Sequence, residues 1–384
     1  MIPARTVSSL RLRNRLTCPA RNFRFPVIVL AAESKAAGAA VRAVPAPVAP
    51  HSWRRIVGPA DGFLKSVARR LEDQVGGFEP DIASYVRYAL ASQGKQLRPA
   101  LLALSAKPTG ALADDLITVA TIIEMVHLAT LVHDDVMDEA RVRRRRPTLS
   151  VRCGNAISVL AGDCLFAHAL ELAASFPTPD ICRAVAAATK TVCTGETLQT
   201  LLSQRRAILG REEYFRILRM KTGELFALSC RMGGRLTGAS DAEEQALHEY
   251  GMALGTAYQI YDDCLDLYGR EREAGKSLGT DLAAGKVTLP IIVAYERADP
   301  AQRKQLDRLL ADWHPERLAP VCAVLEQLDA LAESVSTIRA LCHSARESVS
   351  SPDCPVERPA LAEAAEFVEQ LTGSLGVPSW KIPS

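Results

Sequence analysis

A pattern of three aspartates occurs twice in this 384-residue chain, each time at the end of a long apolar run. The first copy spans Asp134 to Asp138 and the second spans Asp262 to Asp266, with aspartate at the first, second and fifth positions. On an α-helix this spacing places three carboxylates within an arc of roughly 100°. Like charges this close disfavour one another unless a cation lies between them. Because carboxylate oxygens are hard ligands, the pattern indicates Mg²⁺ held between the aspartates and the phosphates of a substrate.

A single copy of the pattern is explained equally well by a solvated helix end. Two copies, each ending an apolar helix, favour the metal site. The protein could still be a helical interaction protein whose acidic clusters face solvent. That alternative predicts no metal-dependent stabilisation by pyrophosphate analogues.

Basic residues lie on both sides of the first aspartate cluster. In the loop Gly94–Pro99, Lys95 and Arg98 precede a proline suited to a helix start, where they are placed to hold an anion. An arginine run at 141–146 follows the cluster, and it is typical either of a nucleic-acid patch or of counter-charges for a polyphosphate. Residues 1–50 carry eight basic residues against Glu33 alone, which leaves the rest of the chain net acidic and favours the polyphosphate.

A glycine- and lysine-containing loop follows the second cluster, between Gly269 and Lys286. Its glycine spacing does not match a P-loop, Val287 stands where that motif needs Ser or Thr, and no strand precedes it. The lysines remain available to phosphate as point charges.

Helical periodicity starts near residue 60 and continues through most of the chain, without alternating strands. With 48% hydrophobic and 5% aromatic residues, the chain is predicted to form one all-α domain over residues 56–384, preceded by a disordered extension or transit peptide at 1–55. The ten cysteines show no metal-ligand spacing and indicate a reducing compartment. No apolar stretch is expected to span a bilayer, so we expect a soluble intracellular protein, cytoplasmic if bacterial, mitochondrial or plastid if a transit peptide is present.

The order of these motifs from about residue 60 to 300 resembles the trans-isoprenyl diphosphate synthases, or polyprenyl synthetases, especially their medium- and long-chain members. The motifs in chain order are Gly94–Pro99, His127, the first aspartate cluster, Ala161-Gly162-Asp163, Gly195-Glu196 with Gln199, Lys221-Thr222, Tyr258-Gln259, the second aspartate cluster, Gly275-Lys276 and Gly285-Lys286 leading to Pro290. The part after Asp299 matches only in helix content.

The resemblance implies antiparallel helices around a central cavity, a homodimer, and Mg²⁺-dependent condensation of isopentenyl diphosphate onto an allylic diphosphate such as farnesyl or geranylgeranyl diphosphate. It implies that isopentenyl diphosphate is bound by Lys95, Arg98, His127 and Arg144. The implied ligands of the allylic diphosphate are Arg143, Lys221, Thr222, Gln259 and Lys276. The implied Mg²⁺ ligands are Asp134, Asp135, Asp138, Asp262, Asp263 and Asp266. The groups expected to act directly in catalysis are Asp134, Asp138, Arg143, Lys221 and Asp262.

The chain departs from the family pattern at three positions. The family has Arg-Arg-Gly-x-Pro after the first motif, and here the glycine is Arg145. Gln96 stands where arginine is frequent, and Gly223 where alanine is frequent. None of the three is an expected metal ligand, so the expected activity is unchanged.

Product length in such enzymes depends on what blocks the growing chain. Short-chain members place an aromatic residue at the fourth or fifth position before the first motif, and here these positions are Thr130 and Ala129. These small residues predict a product of about octaprenyl to decaprenyl length, suited to a quinone side chain and released near a membrane surface. The alternatives are a geranylgeranyl diphosphate synthase, a non-catalytic subunit of a heteromeric synthase, or a class I terpene cyclase. The isopentenyl diphosphate residues argue against the cyclase.

Overall fold

A computed structural model describes seven segments of the chain. They are residues 51–91, 94–107, 114–205, 208–270, 277–311, 313–350 and 358–376. Lys276 and residues 1–50 of the expected extension lie outside the described residues.

Regular structure in these segments is almost entirely helical, which confirms the all-α prediction. The helices of the first half are α1 (His51–Val57), α2 (Asp61–Gln74), α3 (Pro80–Leu90), α4 (Leu97–Ser105), α5 (Asp114–Met137), α6 (Leu149–Cys153), α7 (Asn155–Ala174) and α8 (Asp180–Gln204). Those of the second half are α9 (Arg211–Leu218), α10 (Glu224–Arg235), α11 (Asp241–Tyr268), α12 (Thr280–Ala283), α13 (Leu289–Arg297), α14 (Pro300–Ala311), α15 (Leu318–Gln327), α16 (Ala330–Ser348) and α17 (Pro359–Leu371).

Two irregular pieces interrupt the helices near the motifs. The strands β1 (Val142–Arg143) and β2 (Arg146–Pro147) pair antiparallel as a short hairpin after α5. A turn of π-helix, Arg219–Gly223, joins α9 to α10. Single turns of this kind occur frequently at functional sites.

The core is built around α5 and α11, and each carries one aspartate motif near its C-terminal end. Helix α5 packs against α2, α4 and α7, whereas α11 packs against α10 and α16. Both helices bury large side chains, such as Ile123 on α5 and Tyr250 on α11. Full burial of such a side chain stabilises the fold by about 1.5–3 kcal/mol. The apolar runs that precede the motifs therefore fix their positions through core packing.

Helix α11 has a well-defined start. The Ser240 side chain accepts a hydrogen bond from the backbone of Glu243, and the Glu243 carboxylate accepts one from the backbone of Ser240. This capping box satisfies two backbone donors that would otherwise lack partners. It fixes where the helix begins, and hence the orientation in which the second motif emerges some twenty residues later.

The first described helix contacts α17. Helix α1 starts at His51, and the Trp53 ring lies 5.3 Å from the ring of Phe367 on α17. The Arg55 guanidinium contacts Glu363 on the same helix at 3.2 Å. Trp53 and Arg55 therefore attach α1 to α17.

Among the described residues, two helices are long and apolar enough to cross a membrane by length and composition alone, a test that the buried core helix of a soluble protein also passes. They are α5, with 67% of its apolar window buried inside the protein, and α7, with 33% buried. The burial of α5 is that of a core helix. Helix α7 leaves much of its apolar surface uncovered by the described chain.

Candidate active site

The first aspartate motif occupies the last turn of α5 and the residue just beyond it. Asp135 is buried and accepts a hydrogen bond from Nε of Arg143 at 2.7 Å. Burial raises the pKa of Asp135, while the attached arginine opposes the shift. Oδ1 of Asp134 is buried and has no hydrogen-bond partner in the described part of the chain. Asp138 is paired with Lys286, with Nζ and Oδ2 separated by 2.6 Å.

The arginine run forms the hairpin between α5 and α6. Its two turn residues, Arg144 and Arg145, adopt positive φ angles of 50° and 64°. Positive φ at both central residues is the feature of a type I′ turn, whose twist matches that of the two strands it joins. The Arg144 side chain lies against Gly94, where a Cβ atom would collide with the guanidinium. The turn thus directs Arg144 towards the Gly94–Pro99 loop.

The four residues expected to bind isopentenyl diphosphate lie in one electrostatic neighbourhood. Burial lowers the pKa of Lys95, and Asp262 of the second motif opposes that shift. Burial likewise lowers the pKa of Arg98 to about 10, and its guanidinium stacks on the Phe226 ring with Cζ 4.9 Å from the centroid. Burial and the neighbouring cations Arg98 and Arg144 hold the pKa of His127 well below its usual value. His127 is therefore neutral at pH 7.

A buried glutamate, Glu124, lies within this group and was not anticipated from the sequence. It is 4% exposed and is located on α5, three residues before His127. Burial raises its pKa, whereas Arg98 and Arg144 lower it. A carboxylate between the cations Arg98 and Arg144 reduces their mutual repulsion. One acidic residue in an otherwise apolar helical run was the signal that could have identified it.

In the second motif the three aspartates have separate environments. Asp263 is buried and accepts hydrogen bonds from the Tyr214 hydroxyl at 2.6 Å and from Nε2 of Gln259 at 2.9 Å. Burial raises the pKa of Asp263 to about 7. Asp266 is fully buried and accepts hydrogen bonds from the backbone and hydroxyl of Thr280. Asp262 is partly exposed. The contacts of Asp263 and Asp266 are therefore structural.

The π-helical turn positions Lys221 and Thr222. Nζ of Lys221 donates hydrogen bonds to Glu196 and to Gln199 of α8, both at 2.9 Å. Burial disfavours the charged ammonium, but Asp134 and Glu196 outweigh it and raise the pKa of Lys221. The Thr222 hydroxyl donates to Oε1 of Gln259 at 2.8 Å. Thr222, Gln259 and Asp263 thus form a chain of hydrogen bonds that ends at Tyr214, which no sequence pattern singled out.

Lys286 brings the segment that follows the second motif into contact with the first motif. It follows the second motif in sequence, yet it contacts Asp138 of the first motif and lies 4.0 Å from Asp281. A small pocket, partly open to solvent, lies at this junction, and the buried hydroxyl of Thr288 at its wall has no hydrogen-bond partner among the described residues. The pocket is lined by Gln199, Leu218, Lys221, Gln259, Asp263, Asp281, Lys286 and Thr288. Its polar lining fits a phosphate-bearing ligand.

The two residues expected to set chain length differ in environment. Ala129 is fully buried in the core around α5. Thr130 is partly exposed, and its hydroxyl donates to the carbonyl of His127 at 2.7 Å. Neither residue is bulky enough to form a barrier by itself.

The carboxylates of the two motifs are candidate ligands of a divalent metal. In the described segments, no three His, Cys, Asp or Glu side chains converge closely enough to hold an ion on their own. Mg²⁺ is usually bound by one or two carboxylates together with substrate phosphates and waters. The buried and unpartnered Oδ1 of Asp134 is suited to that role. The aspartates therefore fit a metal that arrives with a diphosphate.

Asp263 of the second motif, Lys221 and Lys286 line one polar pocket, and Lys286 is paired with Asp138 of the first motif. This combination of carboxylates and cations suits the binding of a diphosphate together with a metal. Residues 79–328 match the polyprenyl synthetase family, and the chain belongs to that family. It is accordingly a prenyltransferase. Enzymes of this family use a divalent metal.

Three similar proteins illustrate the relationship. The octaprenyl diphosphate synthase of Haemophilus influenzae is 35% identical over 63% of this chain and 74% of its own. A crystal structure of a decaprenyl diphosphate synthase from Rhodobacter capsulatus aligns with a TM-score of 0.75 and 32% identity, covering 83% of this chain and 98% of that one. A polyprenyl synthase from Caulobacter crescentus, complexed with calcium and isoprenyl diphosphate, aligns with a TM-score of 0.76 and 30% identity, covering 84% and 97%.

Proposed function

We propose that this prenyltransferase adds isopentenyl diphosphate successively to an allylic diphosphate, farnesyl or geranylgeranyl diphosphate, in a Mg²⁺-dependent reaction. The product is an all-trans polyprenyl diphosphate of about octaprenyl to decaprenyl length. The observation that carries the proposal is the ion pair between Lys286 and Asp138 of the first motif, beside a pocket that Lys286 lines together with Lys221 and Asp263 of the second motif. Carboxylates and cations alternate there, as binding of a metal and a diphosphate together requires.

The proposal assigns the two substrates to different groups of residues. Isopentenyl diphosphate is held by Lys95, Arg98, His127 and Arg144, since these lie together beside the Gly94 loop. The allylic diphosphate is held by Arg143, Lys221, Thr222, Gln259 and Lys276. Lys286, which lines one pocket with Lys221 and Gln259, belongs with them. Because His127 is neutral, it contributes a hydrogen bond rather than a charge.

Asp134, Asp138 and Asp262 are the proposed direct ligands of Mg²⁺, and Asp135, Asp263 and Asp266 support them. When bound, the metal neutralises charge that develops on the departing diphosphate. Lys221, Arg143 and Lys286 stabilise the same charge from fixed positions, which favours ionisation of the allylic C–O bond. The alkene of isopentenyl diphosphate attacks the allylic cation, and the released diphosphate accepts the proton. No protein side chain is assigned as the base.

The proposed product length rests on two observations. Ala129 and Thr130 are small, and the similar proteins described above include octaprenyl and decaprenyl diphosphate synthases. Products of this length match quinone side chains. We further propose a soluble intracellular homodimer, because α7 is apolar yet only one third of its apolar window is buried within one chain.

A product assay tests the function. The full chain is supplied with Mg²⁺, farnesyl diphosphate and labelled isopentenyl diphosphate, and the dephosphorylated alcohols are separated by length. A ladder that ends near eight to ten isoprene units is expected, whereas arrest at geranylgeraniol would contradict the length assignment. No incorporation would indicate a non-catalytic subunit of a heteromer. Asp262→Asn should abolish incorporation, and Asp73→Asn, which changes an exposed aspartate of α2, should leave it unchanged.

A further inference from the structure

We propose that Tyr88 on α3 is a positioning residue that anchors the arginine hairpin, residues 142–147, and thereby orients Arg143 and Arg144 for the diphosphates. Tyr88 belongs to none of the residues assigned to substrate or metal. This inference rests on the proposed function, because the arginines matter as diphosphate ligands.

Three contacts connect Tyr88 to the hairpin and to the helix that follows it. Its hydroxyl donates a hydrogen bond to the carbonyl oxygen of Pro147 at 2.7 Å. Its ring has the Arg146 guanidinium at 4.7 Å and the Arg152 guanidinium at 4.4 Å, measured from Cζ to the ring centroid. Arg146 also donates to the carbonyl oxygen of Ala91 at 2.9 Å, at the end of α3. The second strand of the hairpin is thus attached to α3 through both side chain and backbone.

The hairpin needs such an anchor because it is unfavourable by itself. Each strand has only two residues, and a two-stranded hairpin is marginal in water even when longer. Arg143 lies directly opposite Arg146, and like charges in that arrangement repel. Both turn residues are arginines at positive φ, a conformation that side chains other than glycine, asparagine and aspartate rarely adopt.

The two strands of the hairpin are attached to different parts of the protein. On the first strand, Asp135 binds Arg143 at 2.7 Å, and this carboxylate belongs to the proposed metal site. Whenever substrate or metal draws Asp135 or Arg143 away, the first strand loses that attachment. The second strand keeps its own attachment through Tyr88, which lines a small pocket with Asp135 and Arg143 but is not itself a proposed ligand of the metal or the diphosphates. Tyr88 therefore holds the turn in place while its first strand exchanges partners.

The test compares Tyr88→Leu and Tyr88→Phe with the wild-type full chain in steady-state kinetics. For Tyr88→Leu we expect the KM for isopentenyl diphosphate to rise about tenfold with kcat changed less than about threefold, because ligand placement is lost rather than the reacting groups. Tyr88→Phe keeps the ring between the two arginines and loses only the hydrogen bond. Its KM for isopentenyl diphosphate should therefore lie between those of the wild type and Tyr88→Leu. Tyr85→Leu, one turn earlier on α3, is the matched control and should keep the wild-type KM.

Hydrogen exchange in the absence of substrates supplies a second readout that does not depend on activity. Tyr88→Leu should speed exchange of the amides in residues 141–148, whereas Tyr85→Leu should not. An unchanged KM with unchanged exchange would overturn the proposal, as would a lower melting temperature and lower kcat with an unchanged KM. If the wild-type chain itself makes no product, the proposed function fails, while the exchange experiment still decides whether Tyr88 anchors the hairpin.

Discussion

At Arg145, charge and backbone conformation are in conflict. The residue stands where the family pattern has glycine, and it adopts a φ of 64°. The left-handed conformation costs a non-glycine residue roughly 1–2 kcal/mol. Arginine at this position adds a positive charge next to Arg144, and it also places a non-glycine residue in a strained backbone conformation. The adjacent Arg144 has the same sign of φ, so both turn residues contribute strain.

Arg145→Gly is therefore expected to raise the free energy of unfolding by about 1 kcal/mol, because glycine adopts positive φ without a steric penalty. Urea denaturation followed by circular dichroism measures the change. Arg141→Gly, an exposed residue before the hairpin without positive φ, serves as the control and should not stabilise the protein. Equal stability of Arg145→Gly and the wild type would show that the turn is not strained.

His127 provides a pH-dependent test. Burial and the nearby arginines hold its pKa well below the ordinary 6.5, so the folded protein keeps it neutral at pH values where the unfolded chain is protonated. The unfolded state then binds more protons, and stability falls as pH drops below about 6.5, by at most about 1.4 kcal/mol per pH unit. Glutamine does not titrate, so His127→Gln lacks this pH-dependent loss of stability.

The measurement is urea denaturation of wild type and His127→Gln between pH 7 and 5. We expect the wild type to lose stability relative to the variant as the pH falls. His343→Gln, at an exposed position on α16, is the control and should not reproduce that trend. A constant difference between wild type and His127→Gln over this range would mean that His127 has an ordinary pKa.

At the scale of elements, close approach of α10 and α11 decides where the second motif lies. A Cβ atom at Gly251 on α11 would lie 2.6 Å from Cα of Ala227 and from the carbonyl oxygen of Phe226 on α10. Both opposing atoms belong to the backbone, so neither can rotate away. Only glycine allows the two helices this separation, and Asp262 lies three turns further along the same helix.

Gly251→Ala should therefore destabilise the fold by about 1–3 kcal/mol through overpacking, despite the better helix propensity of alanine. Gly62→Ala is the matched control, since Gly62 lies in α2 and has nothing within 4 Å of its added Cβ. That variant should gain about 0.5–1 kcal/mol. Thermal and urea unfolding compare the two. A Gly251→Ala protein as stable as the wild type would show that α10 and α11 separate easily.

The sequence was informative about elements whose signals are local. The two aspartate spacings marked the ends of α5 and α11, and the apolar runs before them predicted helices. The hairpin carries no strand pattern, because two residues per strand show no alternation. Tyr214 and Asp263 are 49 residues apart, so only packing of α9 on α11 shows that they meet. The pairing of Asp138 with Lys286 is likewise visible only in three dimensions.

At the scale of the whole molecule, α5 and α7 are similarly apolar but differ in how much of their surface is buried. Their apolar windows have similar mean hydropathy, 1.7 and 1.5, but 67% of the first and 33% of the second are buried. Leu160 on α7 is 59% exposed, and Ile157 and Val159 nearby are also exposed. Soluble monomers rarely expose contiguous apolar patches of this kind. A second copy of the chain, packed by two-fold symmetry on α7, would cover the patch.

Leu160→Glu is expected to shift the protein from dimer to monomer, because two copies of an unpaired carboxylate would be buried near the symmetry axis. Sedimentation velocity at several protein concentrations measures the state. Ile208→Glu is the control, since Ile208 is also an exposed apolar residue but lies outside α7. A wild-type monomer would refute the dimer. If that monomer also bound anionic vesicles and Leu160→Glu did not, the apolar face of α7 would instead contact a membrane surface.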